Sequence, residues 1–369
     1  MTAPLELPRW ADVALVPALT VFTAFAVSGL VVLAIGENPL QAMAILLKGA
    51  LGSRDGWGYT LYYTTSFIFT GLAVAIAFQA GLFNIGGEGQ ATLGGLGAVL
   101  VCFAFEGLPA IILMPLGVLG AALAGAAWAF VPGYLQATRG SHVVITTIMF
   151  NFIAATLMVY LLVNVMGRPG SMAPETRNIA PEAVAMPMHL LLGSLGLSFP
   201  KTPLNISFLL ALMSAAGVWL MVWHTRLGYE IRTVGAAPAA AAYAGISIVK
   251  ITVITMALSG GLAGMLAVNE IMGLQHRLVL EFTAGAGFVG IAVALMGRAH
   301  PAGVVLAAFL FGVLYQGGTE LSFEKPAITR DMIVVIQGFV ILFAGALEYA
   351  FKRPLAALFR ARSATAREV

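Results

Sequence analysis

Residues 81–97 read GLFNIGGEGQATLGGLG, and the fold class turns on where that stretch can lie. It sets Asn84, Glu88 and Gln90 among seven glycines, between the apolar runs 62–78 and 98–105. In lipid an unpaired backbone N–H or C=O has no water to bond. Polar, Gly-broken chain is tolerated there only where protein covers it or it lines a cavity. The stretch therefore reads as the lining of a path through a membrane.

Composition agrees. A chain of 369 residues that is 60% hydrophobic and 9% charged, with mean hydropathy +0.95, cannot hide its apolar residues in a soluble core. It is expected to be all-α and polytopic. Forty-two glycines suit helices that pack in lipid through small residues. A net charge of +3 then reflects loop Lys and Arg at the membrane surface and not a nucleic-acid partner. The single Cys102 excludes a disulfide framework or a cysteine metal site within the chain. The N-terminal stretch has neither a basic leader nor a convincing cleavage site and reads as a retained first span.

A hydrocarbon core takes about 20 apolar residues per helix, which predicts about ten spans. They fall at 11–35, 59–80, 85–105, 110–131, 143–165, 205–223, 251–271, 282–296, 302–316 and 332–350. Residues 37–58, with Lys48, Arg54 and Asp55, suit an interfacial helix whose apolar face holds Ala42, Ile45, Leu46 and Leu47. The transmembrane domain covers 1–351, with an external loop over 166–204 and a cytoplasmic loop over 224–250. A basic tail over 352–369 carries Lys352, Arg353, Arg360, Arg362 and Arg367 and belongs in the cytoplasm; an even number of spans places the N-terminus there too. Five spans per half, each half with a Gly-rich third span, fit an inverted repeat of two five-helix halves; glycine's abundance in packed membrane helices fits equally.

Residues 224–250, HTRLGYEIRTVGAAPAAAAYAGISIVK, are too long for a turn and too polar for a span. Pro238 suits a first helical position, Ala239 to Ala244 are good helix formers, and Gly245 suits the residue past the end. The segment predicts a short helix presented at the cytoplasmic face, a shape suited to receiving motion from another protein.

The run Arg226-Leu227-Gly228-Tyr229-Glu230-Ile231-Arg232-Thr233-Val234-Gly235, followed by Pro238 and Ala241-Ala242-Tyr243-Ala244-Gly245-Ile246, resembles the coupling-helix region of ABC importer permeases. The branch is the one that serves ribose, branched-chain amino acids and nucleosides. Residues 81–90 resemble its nucleoside and simple-sugar permeases more narrowly. Residues 151–154, 259–264 and 287–297 add matches in the same order. Two positions depart from the family pattern: Ala237 stands where Asn is frequent before the proline, and Thr233 where Ala follows the arginine.

The resemblance implies a transport subunit with no ATPase site of its own, with ATP and Mg held by a separate ATP-binding cassette subunit. It also implies a second permease subunit, an extracytoplasmic substrate-binding protein and import across a bacterial inner membrane. Arg226, Gly228, Tyr229, Arg232, Gly235, Pro238, Tyr243 and Gly245 would form the ATPase-coupling surface, although Arg226 and Arg232 are equally explained as ordinary positive-inside residues. The sequence itself shows no GxxxxGK[ST], HExxH or GxSxG motif.

For the substrate path the candidates are Asn84, Glu88, Gln90, Asn151, Phe83 and Phe288. Glu88 is read as the one carboxylate well inside a span, bonding a sugar hydroxyl, holding the broken helix through backbone N–H groups, or pairing with Asn84 or Gln90. Asn84 and Gln90 suit an uncharged polar solute or the capping of frayed backbone. Asn151 suits a bond to another helix. Phe83 and Phe288 suit stacking on a base or plain packing. Asn269 and Glu270 are expected at an exposed helix end. An ion-coupled secondary carrier would also have broken helices and an inverted repeat, and is the competing reading.

Overall fold

The computed structural model describes residues 15–168, 170–329 and 332–339, with positions 8, 11, 342, 343, 350–352 and 354–356 beyond them. Helices carry the architecture, and no strand occurs among the described residues. Two compact units result, one from Met1–Ala50 with Gln316–Val369 and one from Leu51–Tyr315.

In the first unit, α1 (Val16–Ala34) and α2 (Pro39–Leu51) meet at 117°. Val32, Ala42, Leu321, Ile328, Ile333 and Ile336 form its apolar cluster, and Lys325 pairs with Glu37 at 2.9 Å. Ala42 and Leu46 are buried as the amphipathic pattern of residues 37–58 predicts, but Leu47 is exposed. The segment is also shorter than expected. Ser53 Oγ accepts from Gly56 N at 2.9 Å and starts a new helix, so Arg54 and Asp55 open that helix.

The second unit holds α3 (Arg54–Gln79), α4 (Gly87–Ala104), α5 (Ala110–Arg139), α6 (Val143–Asn164), α7 (Met188–Ser194) and α8 (Ser207–His224). It continues with α9 (Arg226–Ala236), α10 (Pro238–Tyr243), α11 (Ile248–Gly264), a π-helical stretch (Val268–Gln275) and α12 (Ala286–Met296). Helix α13 (Pro301–Glu324) begins in it.

Among the described residues six helices are long and apolar enough to cross a membrane, or up to seven if the bent α1–α2 pair is one span. The count of ten is therefore not reached. Glu88, Gln90 and five glycines dilute α4, α12 has 11 residues, and the last expected span is described only over 332–339, 342, 343 and 350. Other helices outrun their apolar cores: α5 continues through Pro132 to Arg139, and α13 reaches Glu324.

The core of the unit is α11 packed on α5 and α4, with α3 against α12 and α11. Small residues permit this closeness: a Cβ on Gly94 would lie 2.5 Å from the Gly264 Cα, and one on Gly120 2.8 Å from the Gly97 carbonyl oxygen. Helix α3 thus pairs with α12, and α4 with α11. The long loop before α8 lies on the π stretch and the residues after it, with Thr176, Ile179 and Ala185 N–H groups donating to the Leu278, His276 and Met272 carbonyls at 2.8–3.0 Å.

Candidate functional site

The Gly-rich stretch forms two turns of connection after α3 and then the first turn of α4, and its polar side chains meet there. Asn84 and Gln90 are buried and face each other as an amide pair. Asn84 Nδ2 donates to Gln90 Oε1 at 2.9 Å, and Gln90 Nε2 returns a bond to Asn84 Oδ1 at 3.0 Å. Asn84 also donates to Ser259 Oγ on α11 at 2.8 Å and accepts from Gly86 N at 2.9 Å. Ser259 in turn donates to the Ala73 carbonyl of α3 at 2.6 Å. One buried polar network thus ties α3, α4 and α11 at the break.

Asn151 of α6 closes the same turn from another side, donating to Ile85 O at 3.0 Å and accepting from Gly89 N at 2.9 Å. Phe83 stacks on Phe78 with ring centroids 5.3 Å apart.

Glu88 leaves this network. Its carboxylate crosses to the N-terminus of α12, where it accepts from Thr283 Oγ1 at 2.5 Å, Gly285 N at 3.0 Å and Gly287 N at 2.8 Å. The first turns of α4 and α12 are in backbone contact at this point, since a Cβ on Gly287 would run into Glu88 N. Each helix start carries about half a positive charge, so a carboxylate between them is well placed. Phe288, next along, is half-exposed on α12. Four amides at the two helix starts are thus bonded by side chains: Gly86 N by Asn84, Gly89 N by Asn151, and Gly285 N and Gly287 N by Glu88.

A second polar cluster sits at the other end of α3 and corrects the expectation for Asn269 and Glu270. Asn269 is fully buried, not exposed. It donates to Tyr62 O at 3.1 Å and Ser66 Oγ at 2.8 Å, and accepts from Asn205 Nδ2 at 3.1 Å and Ser207 Oγ at 2.9 Å. Glu270 is half-buried and accepts from Tyr62 Oη at 2.5 Å and Ser66 Oγ at 2.9 Å. Glu88 is therefore not the one carboxylate within the bundle. Helix α11 continues past Gly264 into the π stretch, so the residues expected at an end lie within the fold. The adjacent pair Asn269-Glu270 in an apolar run was the available signal.

The other candidate surface is the α9–α10 unit. The sequence predicts α10, and the structure has it with Pro238 in the first turn and Gly245 at φ +78°, although Ala237 offers no side-chain cap. The segment read as loop before it is the helix α9. Thr225 Oγ1 caps it through Gly228 N at 3.1 Å, and Gly228, Ile231 and Val234 form its buried face. That i, i+3, i+6 spacing was the missed helical signal.

Ile231, Val234 and Ala241 pack with Ala77, Ala80, Leu82, Val143, Ile251 and Met256 into one cluster. Gly235 touches the end of α3 backbone to backbone, and a Cβ there would run into the Gln79 carbonyl oxygen. Outward, Tyr243 is 96% exposed and Tyr229 is exposed beside it in sequence terms, on α9. Arg226 pairs with Glu230 at 2.9 Å, and Arg232 lies half-buried. The unit is thus anchored by one face to the α3–α4 junction and leaves the other exposed.

Comparison with known proteins completes the picture. The family described as branched-chain amino acid transport system, permease component, matches residues 57–345. The guanosine ABC transporter permease protein of Bacillus subtilis is 35% identical, over 92% of this chain and 94% of its own length. A glucose ABC transporter permease protein of Haloferax volcanii is 35% identical over 91% and 88%. A nucleoside ABC transporter permease protein of Lactococcus lactis is 32% identical over 89% and 90%. No solved structure matches significantly. With its multi-helix membrane architecture, its paired helix starts and a surface helix unit joined to them, the chain belongs to this family of ABC transporter permeases.

Proposed function

We propose that this permease moves nucleosides, or closely related uncharged sugars, inward across a bacterial inner membrane. A separate ATP-binding cassette subunit would hold ATP and Mg and press on α9–α10. A second permease subunit would complete the path, and an extracytoplasmic binding protein would deliver the solute. Both termini would lie in the cytoplasm, on the α9–α10 side.

The observation that carries the mechanism is the backbone contact of Gly235 with Gln79, next to the Gly-rich break. A push on the exposed face of α10 is transmitted through the Ile231–Val234–Ala241 cluster to the end of α3 and to Leu82. The bonded network at the break would carry that motion from α3 to α4 and α11, and Glu88 would pass it to the start of α12. Groups of packed helices that rock together are one way in which alternating access is achieved.

The solute class follows from charge. Helices α4, α6 and α12 and residues 81–86 contain no Lys or Arg. Gly86 N and Gly89 N at one helix start are bonded by Asn84 and Asn151, and Gly285 N and Gly287 N at the other by Glu88. A solute carboxylate or phosphate meets no Lys or Arg side chain on these elements, which fits an uncharged polar solute. Mass spectrometry of the ligand carried by the cognate binding protein tests the substrate directly. A nucleoside or sugar is expected, and an amino acid would overturn the reading.

A further inference from the structure

Two carboxylates lie within the helical bundle of the second unit, and their surroundings differ. Glu88 has three protein donors, two of them backbone amides at a helix start. Glu270 has two, both hydroxyls, from Tyr62 and Ser66. A carboxylate offers about four acceptor positions, so two remain open on Glu270. Its side chain is half-buried and not sealed. A carboxylate at membrane depth needs a reason, and the default reason is a functional site.

The surroundings show how Glu270 is held. It lies in the π-helical stretch Val268–Gln275, a rare backbone form found often at functional sites. Its neighbour Asn269 fixes that backbone with four hydrogen bonds to α3, Asn205 and Ser207. The Tyr62 ring meets Tyr63 edge-on at 5.3 Å, Tyr63 lies 5.7 Å from Tyr315, and Tyr63 and Tyr315 are both half-buried. The oriented carboxylate is thus joined through Tyr62 to a row of aromatic rings that are not sealed from solvent. Carboxylate oxygens accept from vicinal hydroxyls, and aromatic faces take the ring that carries them.

We propose that Glu270, positioned by Tyr62, Ser66 and Asn269, is a subsite that reads the vicinal hydroxyls of a ribosyl solute, with Tyr63 and Tyr315 receiving its ring. The proposal rests on the nucleoside reading above and names where that specificity resides.

The test uses the complete transporter, with partner subunits and binding protein, in proteoliposomes. ATP-driven uptake of guanosine is compared with that of 2′,3′-dideoxyguanosine. The binding protein is common to every arm, so a change in the guanosine preference between variants belongs to the permease. Glu270→Gln is expected to lower that preference about tenfold or more, the effect of losing a hydrogen bond to a charged acceptor. Glu270→Asp, which keeps the charge and withdraws it by one methylene, is expected to lower it as well and covers failure of the first variant to assemble. A merely structural Glu270 would slow both solutes alike. An unchanged preference in the variants that assemble would overturn the subsite. If the wild-type complex took up no guanosine at all, the nucleoside reading would fall and the subsite with it.

Discussion

Asn84 shows how much one side chain holds at this break. Its amide serves Gln90, Ser259 and the Gly86 N–H at once, with no solvent to replace any of them. Asn84→Ala would leave several buried polar groups unpaired, each costing about 1–3 kcal/mol. A lower unfolding temperature of the purified permease in detergent is expected, larger than for Thr156→Ala on the exposed face of α6. Equal unfolding temperatures would contradict the network. The two roles that sequence left open for Asn84 and Gln90, solute contact and capping, could not be separated there. The deciding partner, Ser259, lies 175 residues away and only packing brings it in. Asn269 was misplaced for a related reason: its partners Asn205 and Ser207 lie 64 and 62 residues away.

At the scale of elements, α10 was legible because its signals are local. Pro238, the alanines and Gly245 follow one another in six to eight positions and need no tertiary contact to act. Helix α9 was not legible in the same way, since its polar face dominates a short window and its buried face has meaning only against α3 and α11. An exposed aromatic on an anchored helix makes a specific expectation. Tyr243→Ala should leave stability within about 0.5 kcal/mol, because the side chain is 96% exposed. It should also weaken association with the ATP-binding cassette subunit, as loss of an interface tyrosine does. Co-purification of the two subunits checks this, and undiminished association would remove Tyr243 from the docking surface.

The loop before α8 carries its own expectation. Arg177 pairs with Glu106 at 2.6 Å and lies over the Phe103 ring at 4.2 Å, joining the loop to the end of α4. The guanidinium holds the Glu106 carboxyl below its usual range. With the folded value depressed, the link is present above the ordinary glutamate value, about 4.3, and is lost as pH falls through the lower folded one. Proteolytic nicking in residues 166–204 should therefore increase below about pH 4. Arg177→Ala should show the higher nicking already at neutral pH. A pH profile shared by wild type and variant would count against the link.

For the whole molecule, membrane class and helical architecture were written in composition, because lipid forces backbone satisfaction within helices. The number of spans was not, because a ruler of about 20 residues fails where helices are broken or bent. The starts of α4 and α12 meet in the interior, and α1 turns into α2 at 117°. The proposed mechanism is placed at one of these breaks: the surface unit α9–α10 is in backbone contact through Gly235 with the end of α3, beside the break before α4. The most direct measurement is ATP-driven guanosine uptake by the reconstituted complex, beside its ATP hydrolysis, for wild type and Gly235→Ala. Wild-type uptake should require ATP, and the added Cβ against the Gln79 carbonyl should depress uptake much more than hydrolysis. Uptake that proceeds on an ion gradient without ATP, or that Gly235→Ala leaves intact, would contradict the coupling of α9–α10 to the path.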